Sequence, residues 1–297
     1  MLISAAVVPG PPAFVAELMG SAARELDGLR DAADRAVARV LSDLIRAGSQ
    51  SSSADAQPSD ARSSDSESSR SQSPDSRPAG SGPSGSGPPS VQLVVVGPGQ
   101  PGEFEAAGPV SFADFGRNVV VPALLRGTSP DRELPTPIMV ARYLASRDVT
   151  AHPDHAGLWA SARWVTTMGG FGTALGEELA ADAGSVGLIL VADGAACHGP
   201  KAPRAEDARA GAYDESVCAA LASGQPGRVA GIDQALGDEL GATGPQVWPV
   251  LVAAAGGAGA ADGAMTGEVL WAGAPYGVGW AVATWSQQAP RAVVAQT

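Results

Sequence analysis

The segment Gly187-Leu-Ile-Leu-Val-Ala-Asp193-Gly-Ala-Ala-Cys197-His198-Gly-Pro sets an acid, a thiol and an imidazole on one short loop after an apolar run. Open α/β sheets keep their reactive groups on such loops, beyond the carboxyl ends of the strands. An imidazole titrates near neutrality, at about 6.5 when unperturbed, so His198 could act as general acid or base with Asp193 as its catalytic neighbour. The plainer reading is a loop histidine without a role. Neighbouring side chains at a strand end point apart, so Cys197 and His198 are not expected to form a dyad. Cys197 reads instead as a small buried residue.

A second group, His152-Pro-Asp-His155, has the outline of a two-histidine metal pair. Pro153 argues against the helix that would align the rings, and the pair reads as solvent-facing loop histidines. Gly10-Pro11 and Gly97-Pro98-Gly99 are strand-end turns where backbone could approach a ligand. Neither contains the Gly-x-Gly-x-x-Gly or Gly-Lys-Ser/Thr pattern of a phosphate cradle. Tyr276, in Gly273-Ala-Pro-Tyr276-Gly-Val-Gly, either faces a pocket or anchors a hairpin by packing.

These residues need a frame, and the apolar spacing supplies one. Leu2 to Val8 and Val91 to Gly97 are short runs rich in aliphatic residues and ended by turn residues, which suits buried parallel strands. Between them Phe14, Leu18, Ala22, Leu26, Leu29, Ala33, Val37, Val40, Leu41 and Leu44 recur in steps of three and four, one stripe of a helix that Gly20-Ser21 could divide. Farther on the pattern predicts a helix over 137–147, a strand over 158–166, a helix over 171–183 and a strand over 186–192. Three helical segments follow over 205–258, then strands over 267–271 and 278–285. This alternation predicts an α/β domain with a mostly parallel central sheet flanked by helices.

Residues 48–90 hold no Val, Ile, Leu, Met or aromatic residue, and 17 of the 43 are serine. Ordering a chain costs roughly 1–2 kcal/mol per residue, which this stretch has no apolar surface to offset, so it reads as a disordered insertion. One domain is thus expected over 1–47 and 91–287, with a frayed tail over 288–297. The insertion joins a helix to the start of a strand, which places it opposite the site.

A net charge of −12, a pI near 4.6 and a single lysine, Lys201, leave no concentrated basic surface for nucleic acid or anionic membrane. Cys197 and Cys218 form no metal or disulfide framework, the opening run lacks the charged start of a signal peptide, and no apolar stretch spans a bilayer. A cytoplasmic protein is the expectation.

Three stretches together resemble a known family: AAVVPGPPAFVAELMGSAARELDGLRDA at the start, ADGAACHGPKAPRAEDARAGAYDESVCAAL in the centre and EVLWAGAPYGVGWAVATW near the end. They resemble the subunit-B-like class III extradiol ring-cleavage dioxygenases of the actinobacterial type, over nearly the whole chain outside the insertion. The resemblance implies the fold of those catalytic subunits, with a non-haem Fe(II) on two histidines and a glutamate and a further acid/base histidine. His198 stands at the acid/base position. The first ligand position holds Gly10, beside Pro11. The second should follow Gly97, where Gln100 is the nearest polar side chain, and the glutamate position falls nearest Gln246. Glycine cannot ligate, and losing even one supporting partner of a metal ligand typically costs 10–100-fold in affinity.

The resemblance therefore implies a family member without the iron and without another cofactor, binding a small molecule or a protein partner through Gly10, Pro11, Gly97, Gln100, Gln246 and Tyr276. An active Fe(II) dioxygenase cleaving a catechol-like ring at an atypical metal site is the alternative. A metal-free hydrolase or transferase using His198 with Asp193 or Tyr276 is a third. Related proteins suggest a homodimer by analogy.

Overall fold

The computed structural model describes residues 1–54, 91–125, 134–260 and 264–287. Its first strand, β1 (Leu2–Val8), leads through a 3₁₀ turn into the short helix α1 (Ala16–Met19) and a second 3₁₀ stretch, then the long helix α2 (Asp27–Ala54). Of the stripe expected from the sequence, Leu29, Ala33, Val37, Val40, Leu41 and Leu44 form the buried face of α2, while Phe14 and Leu26 are buried on the 3₁₀ stretches before it. The backbone at Gly20 has a positive φ of 56° and marks the predicted division.

Strand β2 (Val91–Pro98) follows, then three short strands absent from the sequence reading: β3 (Gly102–Phe104), β4 (Val110–Ser111) and β5 (Val120–Val121). Helix α3 (Thr136–Ala151) ends in a 3₁₀ turn over Pro153–His155 that runs into α4 (Ala156–Ala160). Then come β6 (Arg163–Thr167), α5 (Gly170–Ala181), β7 (Ser185–Val191), α6 (Ala210–Ser223), α7 (Pro226–Ala230), α8 (Gln234–Leu240) and α9 (Gly244–Ala254). Strands β8 (Met265–Gly273) and β9 (Trp280–Gln287) close the described chain.

The central sheet has seven strands in the order β3-β6-β2-β7-β1-β9-β8. The four strands β6, β2, β7 and β1 are parallel; β3 and β9 pair antiparallel to their two outer members, and β8 pairs antiparallel to β9. Side chains alternate between two cores, as strand geometry demands. Val94, Val96, Leu188 and Leu190 face α5, α6 and α9, and Leu93, Val95, Ile189 and Val191 face α2 and α3. The architecture is a three-layer α/β arrangement with a mixed, mostly parallel sheet.

Some expectations change. Residues 158–160 belong to α4, and the strand starts only at Arg163, because Trp159 packs its ring on Trp164 from a helical turn. The region 205–258 holds four helices rather than three, since Asp233 accepts the Leu236 N–H and caps α8 separately. The last strand, expected over 278–285, runs from Trp280 to Gln287, with Ser286 paired to Ser4. Helix α2 continues past residue 47 to Ala54; the rest of the expected insertion and the tail over 288–297 lie outside the described residues. No helix among the described residues is long and apolar enough to cross a membrane.

Candidate functional site

Strands β1 and β7 are parallel neighbours whose onward connections leave for opposite faces, β1 toward α2 and β7 toward α6. Such a point leaves a crevice beyond the carboxyl ends of the strands. A cavity of about 350 Å³ occupies it, walled by the loop after β7, by α6, by the first turns of α9 and by the β8–β9 hairpin. Asp193, His198, Tyr213, Asp214, Cys218 and Trp248 are among its lining residues. Most of the remaining wall is aliphatic or glycine, including Val7, Val217 and Leu221.

His198 Nε2 lies 2.6 Å from Asp214 Oδ2, and the other carboxylate oxygen accepts the Ala195 N–H at 2.9 Å. The His198 backbone N–H donates to the Gly277 carbonyl, and Gly194 and Ala195 exchange backbone hydrogen bonds with Gly279. The loop is thus zipped to the hairpin, with the Asp214 carboxylate clamped between two glycine backbones. A Cβ at Gly194 would lie 2.3 Å from Asp214 Oδ1, and one at Gly279 only 1.7 Å from Oδ2. Burial raises the Asp214 pKa, against the lowering effect of the Ala195 and His198 hydrogen bonds.

Asp193 is held differently. Its backbone N–H donates to Thr243 Oγ1 and its carbonyl accepts from Thr243 and Gly244, tying the end of β7 to the start of α9. Its side chain accepts the Gly10 N–H at 3.1 Å, yet burial prevails and pushes the pKa up to about 6. The carboxyl can therefore offer or take a proton near neutral pH. Cys197 points away into the core, with Sγ 3.5 Å from the Leu240 carbonyl, and burial raises its thiol pKa. Both features oppose a nucleophilic role.

His198 and Asp193 thus share one cavity, but the expected ligand-binding set does not gather around it. Gly10, Pro11, Gly97, Gln100, Gln246 and Tyr276 are all absent from its lining. Tyr276 packs edge-on against Trp280 and donates its hydroxyl to Glu25, fastening the hairpin to the segment before α2. Gln100 is exposed, and its carbonyl accepts the Thr166 hydroxyl. The histidine's partner is Asp214, which the sequence reading missed. Its signal was present: Ala210, Tyr213, Asp214, Val217 and Leu221 follow helical spacing, so one carboxylate sits on an otherwise apolar face.

The residues do not fit the iron site that the resemblance implies. A Cβ at Gly10 would lie 2.7 Å from Val191 Cγ1, and one at Gly97 would lie 2.9 Å from Pro137 Cβ. Gly10, the first ligand position, lacks a donor and is closed by packing, and Gly97 is closed likewise, while Gln100, nearest the second position, is exposed. Among the described residues the one cluster of three metal-ligating side chains is His152, Asp154 and His155. It sits beyond the far end of α3, whose 16 residues span about 24 Å from the turn that meets Gly10 and Gly97.

No family model matches the chain, and no curated protein matches it at a significant level.

Proposed function

We propose that this chain is an iron-free, extradiol-dioxygenase-like protein that binds a small organic molecule in the cavity at the carboxyl ends of β1 and β7. The ligand's apolar body lies against Val217, Leu221 and Trp248, and its polar end meets His198, Asp214 and Asp193. A volume of about 350 Å³ is at the lower end of the roughly 300–1,000 Å³ typical of small-molecule sites, which suits one ring with few substituents. The clamped Asp214 orients the imidazole, and Asp193 supplies a second hydrogen-bonding group. This arrangement favours a hydroxyl or another neutral polar group, since a carboxylate would meet two acids.

The carrying observation is the contrast between the two places. Gly10, where the resemblance puts the first ligand, is hemmed in by Val191, and Gly97, after which the second should follow, by Pro137, while the cavity around His198 is open and lined. Catechol is the natural probe, because its ring and paired hydroxyls match the cavity and also make it the substrate class of the alternative reading. Under anaerobic Fe(II), catechol should stabilise the protein thermally without iron being retained at the cavity after desalting. Readmitted oxygen should be consumed no faster than by His198→Ala. The Val217→Trp variant, which fills the cavity, should lose the thermal shift. Iron retained near one per chain together with oxygen uptake that His198→Ala abolishes would overturn the proposal in favour of an active dioxygenase.

A further inference from the structure

The 3₁₀ turn between α3 and α4 carries the cluster His152, Asp154 and His155, whose ligand atoms all lie within 4.8 Å of one another. Pro153 was expected to keep these rings apart. It occupies instead the first position of the turn, where its fixed φ is favourable and its missing N–H costs nothing. Side chains three apart eclipse one another in a 3₁₀ helix. The two imidazoles accordingly stack, with centroids 4.9 Å apart and planes inclined by 28°.

A second feature stands behind the first. His155 is buried, and its Nδ1 contacts both oxygens of the buried Asp148, at 2.9 and 3.2 Å. Asp148 in turn accepts the Trp159 indole N–H at 2.8 Å. A carboxylate on Nδ1 fixes the imidazole so that Nε2 carries the free lone pair, the arrangement that commonly supports histidine ligands in metal sites. Among the described residues Nε2 has no hydrogen-bond partner. His152 and Asp154 are exposed and free to swing inward, as ligand-to-metal distances of about 2.0–2.2 Å require.

We propose that His152, Asp154 and His155 form a binding site for a divalent ion of the zinc class, with Asp148 as the residue that positions His155. Two imidazoles and one carboxylate form a borderline donor set that suits Zn²⁺ better than Mg²⁺ or Ca²⁺, and water completes the tetrahedron. The ion pins the end of α3 to the start of α4. The site is independent of the cavity, so either can fail without the other.

The test uses the full chain without a polyhistidine tag, titrated with Zn²⁺ by calorimetry and with Co²⁺ by visible absorption. One equivalent should bind, with a tetrahedral Co²⁺ spectrum, and Mg²⁺ should not compete. His152→Ala and Asp154→Ala change only exposed side chains and should each weaken binding more than tenfold, with unfolding otherwise unchanged. Asp148→Asn should weaken it about 10–100-fold. A His198→Ala control should bind as the wild type does. Absence of binding, or binding that survives both His152→Ala and Asp154→Ala, would overturn the site. Iron retained by the wild type but lost in these variants would belong to this turn and not to the cavity.

Discussion

Asp193 offers the sharpest test of the cavity's electrostatics. Its folded pKa is about 6 against a usual value of 3.8, with burial as the leading cause and the Gly10 N–H acting in opposition. The direction of the resulting pH dependence follows from proton binding. Below about pH 3 the carboxyl is mostly protonated in both folded and unfolded chains and costs almost nothing. As pH rises toward 6 the unfolded chain loses this proton first, so stability falls; above 6 the cost is complete and constant. A displacement of about two pKa units corresponds to about 3 kcal/mol, an upper value because the side chain is partly exposed to the cavity. Asp193→Asn retains an oxygen for the Gly10 N–H but cannot ionise. It should match the wild type near about pH 3, apart from a fixed offset, and gain about 1–3 kcal/mol on it by neutral pH. Urea unfolding of both proteins across about pH 3 to 8 reads the difference directly, and other carboxylates cancel because both proteins share them. A difference that stays flat across this window would refute the argument that burial holds the Asp193 proton.

Two further outcomes check the rest of the site. Gly279→Ala sets a methyl where Asp214 Oδ2 stands, which should expel the carboxylate, release His198 and cost about 1–3 kcal/mol of stability together with catechol binding. Combined with Asp214→Ala, its cost should be clearly less than additive in a thermal or urea double-variant cycle; additive costs would mean that the two groups do not meet. Tyr276→Phe removes one hydroxyl contact to Glu25 outside the cavity, so stability should change by less than about 0.5 kcal/mol, with no effect on catechol affinity. A loss of affinity would return Tyr276 to the site.

Much of the scaffold was legible because its strands and long helix are set by local patterns. The runs at Leu2–Val8, Val91–Pro98 and Ser185–Val191 are buried on both faces, and the stripe of α2 needs only its own spacing to be seen. The three short strands were not legible. Two or three residues carry no periodicity, and β3 exists because it pairs with the edge of β6. Residues 158–160 were misread because apolar and aromatic content suits helix and strand alike until tertiary packing decides. The loop bearing Asp193 and His198 was legible from its place after a buried strand. Asp214 was not, because its partnership joins α6 to a loop 16 residues earlier and depends on glycines at 194 and 279 that contribute only an absence of side chain.

The packing around Gly10 and Gly97 bears on the iron site that the resemblance implies. Had Gly10 and Gly97 bordered open space, the strand ends would still offer room for the ligand side chains that the resemblance implies. The structure instead seats Pro137, in the first turn of α3, against Gly97 and within 3.8 Å of where a Gly10 Cβ would stand, with Val191 closing the other side. Glycine at position 97 is what lets α3 approach the end of β2 so closely, since a Cβ there would meet the proline ring at 2.9–3.1 Å. Interiors packed this densely do not yield to an imidazole without moving a helix. The chemistry left to the carboxyl ends of the strands is that of the neighbouring cavity: an acid held near its pKa, a histidine clamped to a second acid, and a mostly apolar wall.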